Sequence, residues 1–312
     1  MNDLAVVLLA HADGRQLQRL VGTLSGLPIF LHCDVKGDPG QYALMAGLAD
    51  RVTMLPRIDA RLSSWSVVKA ELAGLRAAIS STQAAHVAVM SGSCYPLVTM
   101  DDLLESLRPW EGYSYFFNRP LPYAFWNTPR RRDGGEWRMR YRVLTRRDNV
   151  VMLRTFPVHW PFKRDIPEGL ELRAASQWKI YSREHVEMLL RVVEDRPDLM
   201  RFWRSTFVPD ESFAASILSS PALVGSAVLK PCLATPWHYE WEPQGDHPRW
   251  LDDVVSEFDR LAELRFAPDI APEAAFLDDL THEPKHRKLF ARKFRSTESS
   301  QLLDRIDSEL RQ

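Results

Sequence analysis

Two adjacent carboxylates, Asp210 and Glu211, follow a proline inside an apolar stretch that runs from Phe202 to Leu218. Pro209 fixes its own φ near the value of a first helical turn, so Pro-Asp-Glu predicts the start of a helix. Acidic side chains there are stabilised by the positive end of the helix dipole. One carboxylate can then cap the helix while the other points into a cleft as a general base. An acidic helix N-terminus without chemistry is the alternative that the segment leaves open.

A second concentration of charge lies near the end of the chain, in Lys288–Phe294. Arg292 and Lys293 stand there among leucine and phenylalanine side chains, which a solvated basic loop would not require. Cations held in place by apolar neighbours suit an anion such as a diphosphate. The motif therefore predicts an anion-binding site, with a solvated basic turn as the alternative.

The middle of the chain, Trp110–Phe162, is irregular and rich in aromatic residues, prolines and arginines. It contains the clusters Pro129–Arg132 and Trp137–Arg142, and Arg140 is the candidate acceptor contact within the second. Such clusters suit a solvated face, an acceptor cleft or a nucleic-acid surface. The whole chain has a net charge of −1, which disfavours nucleic acid and gives no general attraction to anionic membranes.

Two further motifs carry weaker signals. His282-Glu-Pro-Lys-His286 matches the H-E-x-x-H pattern of zinc proteases, but Pro284 would break the helix that this pattern needs. Cys94 lies at a strand edge without a nearby histidine partner, so it is expected to be a packed small residue rather than a nucleophile. Neither a glycine-rich dinucleotide loop nor a phosphate-binding Walker loop is present in the sequence. No metal site is predicted.

The composition is that of an ordinary globular protein: 312 residues, 45% hydrophobic and 26% charged. Three widely spaced cysteines form no CxxC pair, which fits a reducing compartment. No apolar run approaches the roughly 20 residues that span a bilayer, although peripheral membrane contact stays open. We therefore expect a cytoplasmic protein.

Strand and helix signals alternate over the first hundred residues. The predicted strands are Ala5–Ala10, Pro28–Cys33, Arg51–Leu55 and His86–Met90. The predicted helices are Arg15–Leu24, Ser66–Ile79 and Met100–Leu107. This alternation predicts an α/β fold with a mostly parallel central sheet flanked by helices. Ligands bind beyond the carboxyl ends of such strands, where the chain places His11, Asp34, Ser91 and Gly92.

Regular structure returns after the arginine-rich stretch, with a strand at Ser176–Tyr181 and a helix over Ser182–Val192 capped by Ser182. A closing helix is expected over Ser299–Leu310. No internal repeat or low-complexity linker is found, so we expect one domain over residues 1–312. Within it we distinguish a nucleotide-binding half (1–110), an acceptor and catalytic half (111–270), and a C-terminal extension (271–312) with the basic motif and closing helix.

Several separated blocks resemble the Core-2/I-branching glycosyltransferases, a family that includes the protein xylosyltransferases. The blocks come in the family's order and span nearly the whole chain. They are Ile29–Asp34, Ser63–Leu72, Val89–Leu97, Ser176–Val186, Pro209–Phe213 and Leu289–Phe294.

This resemblance implies a GT-A-like fold and an inverting transfer of a β-linked sugar, typically N-acetylglucosamine or xylose, from a UDP donor without an obligatory metal. It implies that Glu211 is the general base, that Lys293 binds the diphosphate with Arg292 as a weaker candidate, and that Asp34 contacts uridine. The further residues of the matching blocks are expected to serve the two substrates. His11, Trp65, Ser91 and Gly92 lie on the donor side, and Arg140, Gln177, Trp178 and Asp210 lie on the acceptor side.

The sequence departs from the family pattern at two positions. Cys94 stands where the family commonly has Asp, and Ala175 stands where it usually has Gly, which puts donor-sugar and acceptor contacts in question. The expected function is a UDP-sugar-dependent glycosyltransferase in surface polysaccharide synthesis. The alternatives are a catalytically silent nucleotide- or sugar-binding protein on the same scaffold and, more remotely, a zinc hydrolase at His282 and His286.

Overall fold

The computed structural model describes residues 3–128, 131–242, 248–252, 255–276 and 281–312. Its strands are β1 (Leu4–Ala10), β2 (Ile29–Cys33), β3 (Thr53–Met54), β4 (His86–Ser91), β5 (Cys94–Pro96), β6 (Asn118–Pro120), β7 (Tyr141–Val143), β8 (Thr145–Arg146), β9 (Asn149–Val150), β10 (Met152–Leu153), β11 (Phe156–Pro157), β12 (His159–Lys163), β13 (Arg173–Ala175), β14 (Lys179–Ser182), β15 (Trp237–His238) and β16 (Phe290–Arg292). Its α-helices are α1 (Gly14–Thr23), α2 (Pro39–Ala46), α3 (Trp65–Ser81), α4 (Met100–Leu107), α5 (Trp137–Arg140), α6 (Arg183–Asp195), α7 (Pro197–Arg204), α8 (Phe213–Leu218), α9 (Pro221–Val224), α10 (Val255–Arg265), α11 (Pro272–Ala275) and α12 (Ser300–Arg305), the last continued by a π-helical segment over Ile306–Leu310.

A five-stranded sheet with the order β14-β4-β1-β2-β3 forms the centre of the molecule. The strands β4, β1, β2 and β3 are parallel, and β14 is an antiparallel edge strand. Parallel strands need crossover connections, which the helices between them supply. The α/β class with a largely parallel sheet, as the alternating sequence pattern predicts, is confirmed.

Both faces of this sheet are buried, because alternate residues of β1 enter two different cores. Leu4, Val6 and Leu8 pack on one side, and Ala5 and Val7 pack on the other. A strand buried on both faces reads as a continuous apolar run, which is why the sequence shows it clearly.

Helix α3 lies directly against β1. A Cβ atom on its Gly74 would come within 2.2 Å of Val7 Cγ1, so only glycine allows this approach. The helix begins beside Ser64 and Ser66, whose hydroxyls bond the residues around Asn149. The start of α3 is thereby fixed to the middle of the chain.

A smaller sheet brings the C-terminal basic motif to the carboxyl edge of the central sheet. It has the order β15-β16-β5, with Arg292 opposite Cys94 in the β16–β5 pair. Strand β5 follows β4 after a two-residue turn. The end of β4 and the cations after β16 therefore lie side by side.

Some local predictions need correction. The third strand covers Thr53–Met54 rather than Arg51–Leu55, and helix α2 was not predicted. Pro209–Glu211 forms a 3₁₀ turn, and the helix proper starts at Phe213. Of the arginine clusters, Pro129 and Arg130 lie outside the described residues. No helix among the described residues is long and apolar enough to cross a lipid bilayer.

Candidate functional site

The turn that carries the two carboxylates is fixed at both ends. Val208, just before it, has a positive φ of 51° and donates its N–H to the carbonyl of Ser63 at 3.1 Å. Phe213, just after it, packs edge-on against Trp65 with 4.9 Å between ring centroids. The start of α3 thus holds the turn in place.

Glu211 is the partly exposed carboxylate of the pair, with 32% of its side chain accessible. Arg138 donates from Nη1 to its Oε2 at 2.9 Å. The guanidinium of Arg138 in turn stacks on Trp126, 4.0 Å from the ring centroid. This contact fixes one carboxylate oxygen and leaves the group accessible, as a base that must meet a substrate requires.

Asp210 is the buried carboxylate, with 3% exposure. Its Oδ1 is enclosed and accepts no hydrogen bond within the described residues. Burial raises its pKa to about 7, and the neighbouring charge of Glu211 adds to the effect. Near neutral pH the Asp210 carboxyl is therefore partly protonated, whereas an ordinary aspartate would be fully ionised.

A buried network supports the turn from below. The ammonium of Lys179, with 1% of its side chain exposed, donates to the backbone carbonyl of Asp210 at 3.1 Å and lies 3.4 Å from Glu71 Oε1. Tyr181 donates its hydroxyl to the same Glu71 oxygen at 2.6 Å. Because each charge has a partner, strand β14 and helix α3 hold the backbone of Asp210 without leaving a buried charge unpaired.

The cation Arg292 ends strand β16 of the smaller sheet, where it lies opposite Cys94 of β5. Its guanidinium stacks on Trp178 at 4.4 Å from the ring centroid. Burial lowers its pKa, and Glu211 is among the negative groups that oppose the shift. The charge of the candidate base therefore acts on the guanidinium of the candidate diphosphate ligand.

Lys293 and Arg295 share one aromatic surface. They lie 5.1 and 3.8 Å from the ring centroid of Trp250. Burial lowers the pKa of Lys293, and the charges of Arg292 and Arg295 lower it further. Within the described ranges no carboxylate lies within 4 Å of Arg292 or Lys293, whereas Arg295 pairs with Glu298. Two crowded cations without a counterion form a site suited to an anion.

The carboxyl edge of the central sheet adjoins these cations. Asp13, in the loop after β1, accepts bonds from the backbone N–H and the hydroxyl of Ser296, both at 2.7 Å. Ser91 ends β4, and Gly92 just after it donates to the carbonyl of Leu9 at 3.2 Å. The bonds of Ser296 join the segment after the basic motif to the loop after β1, and the bond of Gly92 joins the end of β4 to β1.

The predicted nucleotide contacts occupy the same edge. His11 is exposed there, and a Cβ atom on Gly37 would lie 3.0 Å from its carbonyl and 3.4 Å from that of Asp34. The side chain of Asp34 accepts the backbone N–H of Lys36 at 2.8 Å. Arg57 donates to the carbonyl of Asp34 at 2.7 Å, so the loop is fixed before any ligand enters.

Trp65, which the sequence places on the donor side, is buried in this structure. It is 3% exposed and packs on Phe213, so it offers a nucleotide almost no surface. In this structure its contact positions the turn that carries Glu211.

The acceptor candidates divide into two groups. Trp178 is buried under Arg292. Gln177 is half-buried, and its backbone carbonyl accepts a hydrogen bond from Lys179 Nζ at 3.0 Å. Arg140 pairs with Glu136 on its own short helix at 3.3 Å. Its neighbour Arg138 makes the contact with Glu211 that the sequence reasoning missed. The arginine cluster in the sequence could have pointed to this contact. The sequence does not show, however, which of the two arginines of this four-residue helix faces the Glu211 turn.

The described residues hold one group with the composition of a metal site, far from the predicted motifs in sequence. His238, Glu240 and Glu257 place their ligand atoms within 4.8 Å of one another. Arg249 bonds both carboxylates, and Arg260 adds a contact at 2.9 Å to Glu240. These arginines already neutralise the negative charge that would attract a cation.

The zinc-protease pattern does not form its required geometry. Residues 283–288 are not helical, and both ring nitrogens of His286 face backbone carbonyls, those of Pro284 and Thr235. The two histidines therefore do not share a helix face. Cys94 is fully buried, as predicted for a packed residue.

Comparison with known proteins identifies the relatives of this chain. Residues 32–260 match the family model of the Core-2/I-Branching enzyme. A beta-glucuronosyltransferase of Arabidopsis thaliana, GlcAT14B, is 24% identical over 320 residues. The match covers 96% of this chain, and the chain spans 64% of that relative's length.

Solved structures give only distant matches. A structure described as a glucose-1-phosphate thymidylyltransferase from Bacillus anthracis in complex with a sucrose is 9% identical, with a TM-score of 0.28. The match covers 61% of this chain and 75% of the other chain. HddC from Yersinia pseudotuberculosis is 13% identical with a TM-score of 0.26, and the match covers 59% and 79%. Scores this low carry no argument about fold or function. The family match is informative, because it includes Asp34, the whole of β4 and the Glu211 turn. The chain belongs to the Core-2/I-branching enzyme family.

Proposed function

We propose that this member of the Core-2/I-branching family is an inverting glycosyltransferase that moves a sugar from a UDP-sugar to a glycan hydroxyl and forms a β linkage. Family membership and the activity named for the Arabidopsis relative support glycosyl transfer. The observation that carries the proposal is that one family-matched turn presents an accessible, oriented carboxylate, Glu211, whose charge acts on Arg292, a cation that like Lys293 has no carboxylate within 4 Å among the described residues.

Glu211 acts as the general base. The acceptor oxygen forms its bond to the anomeric carbon while the bond from that carbon to the diphosphate oxygen breaks. The hydroxyl proton passes to the Glu211 carboxylate, and the configuration at the anomeric carbon inverts because attack occurs opposite the leaving group. Arg138 holds the carboxylate by one oxygen, which leaves the other for the hydroxyl.

Lys293 and Arg292 stabilise the leaving UDP. Its diphosphate gains negative charge as the bond breaks, and fixed cations in a partly desolvated site stabilise that charge more strongly than water does. Trp250 and Trp178 hold the two side chains in place before the ligand arrives, so little reorganisation is needed.

The remaining predicted contacts surround these two centres. On the donor side, His11, Asp34, Ser91 and Gly92 border the carboxyl edge where uridine would lie. On the acceptor side, Asp210 is 3% exposed, so its change of protonation near neutral pH bears on the charge of Glu211 rather than on direct contact with a sugar. Gln177 and Arg140 are the further acceptor candidates.

The finer features of the proposal come from the family resemblance. They are a GT-A-like fold, no need for a divalent cation and a role in surface polysaccharide synthesis. N-acetylglucosamine and xylose are the expected donor sugars, and the Arabidopsis relative adds glucuronic acid to the candidates. If the cations replace a metal, then EDTA leaves the rate of UDP release unchanged. Loss of activity in EDTA that Mn²⁺ restores would contradict this feature.

The test is a panel of UDP-sugars measured in two ways. Thermal shift identifies the donor, because a ligand at about 100 times its Kd adds about 2.7 kcal/mol to the free energy of unfolding. Slow release of UDP from that same donor then shows an enzyme. Binding without release, with any acceptor tried, would favour the catalytically silent alternative.

A further inference from the structure

Residues 141–163 form a compact projection that we call the hairpin unit. It consists of three two-stranded pairs, β7 with β12, β8 with β9, and β10 with β11. Backbone bonds among Leu144, Val151 and Val158, at 2.8 to 2.9 Å, join the three pairs at one point. The three pairs therefore form one hydrogen-bonded unit.

The hairpin unit exposes an unusual amount of apolar surface. Of the fourteen large apolar side chains that are exposed in the described residues, seven lie in these 23 positions. Leu153 is 71% exposed and Phe162 is 79% exposed, and Met152 and Trp160 accompany them. Single exposed apolar residues are common, but such a concentration marks a surface that contacts another phase or molecule.

Exposed cations alternate in sequence with these apolar side chains. The exposed cations of the unit are Arg142, Arg146, Arg147, Arg154 and Lys163. In the part of the chain that the structure describes, none of the five has a carboxylate within 4 Å. The one acidic residue of the unit, Asp148, is paired with Lys69 outside it at 2.8 Å. The surface thus combines exposed leucine and aromatic side chains with uncompensated arginine.

An anionic lipid surface fits this combination. Aromatic side chains favour the boundary between lipid and water, and arginines near the surface are attracted to acidic headgroups. A second copy of the chain fits poorly, because a twofold interface would bring two sets of five cations together. A partner with anionic charge but no apolar phase would leave Leu153 and Phe162 in water.

The unit is tied to the catalytic turn. Ser66 donates to Asn149 at 2.6 Å and the N–H of Val150 donates to Ser64 at 2.9 Å, while the preceding Ser63 bonds Val208. We propose that the hairpin unit docks on an anionic membrane surface and so holds the Glu211 side of the cleft toward it. The acceptor would then be a glycan carried at this membrane surface. This second step rests on the proposed function.

Vesicle sedimentation tests the docking. The full chain should bind vesicles of phosphatidylcholine with about 30% phosphatidylglycerol, bind pure phosphatidylcholine far less, and lose binding as salt is raised well above about 0.1 M. Leu153→Ser with Phe162→Ser should weaken binding by roughly tenfold or more because apolar area no longer leaves water. Arg146→Ser with Arg147→Ser should weaken it about 25-fold, at about fivefold per arginine.

Matched controls replace equally exposed residues elsewhere. Val255→Ser with Phe266→Ser controls for apolar area, and Arg191→Ser with Arg201→Ser controls for charge. Unchanged circular dichroism and melting temperature show that every variant is folded. Equal binding to both vesicle types, or equal loss in test and control variants, would overturn the proposal. Self-association that the hairpin variants abolish would overturn it too, in favour of a second copy. UDP release measured without vesicles fails or succeeds independently of these outcomes.

Discussion

The Glu211 turn and the basic motif hold their charges in opposite ways. On the turn, Glu211 has a protein counterion, Arg138, and Asp210 is supported through its backbone by Lys179. In the basic motif, Arg292 and Lys293 stack on tryptophans and have no carboxylate within 4 Å among the described residues. The difference fits the proposed roles, because a base keeps its position after the substrate leaves if its partner belongs to the protein. Cations proposed to bind a diphosphate need no protein counterion, because the substrate supplies one.

Replacement of the base should give the largest effect. Glu211→Gln keeps the size of the side chain and a contact to Arg138 but removes the proton acceptor. Turnover should fall by about 10² to 10⁴ with the affinity for UDP unchanged, as measured by UDP release and by calorimetry. Asp210→Asn is the neighbouring control. Near-normal turnover in Glu211→Gln would transfer the role of base to Asp210 or to another group.

The buried carboxyl should reveal itself through the pH dependence of stability. The pKa of Asp210 in the folded protein, about 7, lies above its unfolded value. Burial therefore costs nothing below about pH 4, and the cost grows as pH rises through about 7. Asp210→Asn removes this cost, so its gain in free energy of unfolding over the wild type should increase by up to about 4 kcal/mol between pH 4 and pH 8.

Asp198 supplies the control of opposite sign for that measurement. Its pKa is lowered to about 2 by the hydrogen bonds from Arg196, so its contribution is already complete above about pH 4. The stability difference between Asp198→Asn and the wild type should be flat from pH 5 to pH 8. A flat profile for Asp210→Asn over the same range would mean that its carboxyl is ionised throughout.

Removal of a basic-motif cation should affect binding first. Lys293→Ala removes a charge-assisted hydrogen bond of about 1.5–3 kcal/mol, which is about 10- to 150-fold in the Kd of UDP and of UDP-sugar alike. Arg295→Ala is the matched control, since Arg295 shares Trp250 but is paired with Glu298. If the two variants weaken UDP binding equally, the comparison between paired and unpaired charges does not hold.

The smallest expected effect concerns the counterion of the base. Arg138→Ala should lower kcat about tenfold through loss of one hydrogen bond and leave the Kd of UDP unchanged. Arg138→Lys should restore part of the loss because it keeps the charge without the fork geometry. Arg140→Ala removes an arginine of the same helix that pairs with Glu136 instead of Glu211, so it should leave the activation of the acceptor hydroxyl by Glu211 intact and act, if at all, on the KM of the acceptor. An Arg138→Ala variant that weakens UDP binding instead would place this arginine on the donor side.

Elements with strong apolar patterns were predictable from the sequence. The runs that became β1, β2 and β4 are buried on both faces, and Ser182 caps α6 by accepting the N–H of His185. The hairpin unit was not predictable. Its strands have two to five residues and expose side chains on both faces, so no alternation of period two marks them.

Site residues were predictable as motifs but not as contacts. The order of the sequence blocks pointed to Glu211 and Lys293, whose roles stay predictions. The burial of Asp210, the lysine beneath it and the choice of Arg138 over Arg140 depend on side chains far apart in sequence. Residues 138 and 211, for example, meet only because the start of α3 and strand β14 hold the turn.

The stereochemistry of the product tests the central claim most directly. With an α-linked UDP-sugar from the panel and enzyme in high concentration, proton NMR records the anomeric signal of the first sugar released or transferred, before it equilibrates. A base at Glu211 that activates the attacking hydroxyl predicts the β anomer. A product with the α configuration would mean retention, which an inverting base at Glu211 cannot give.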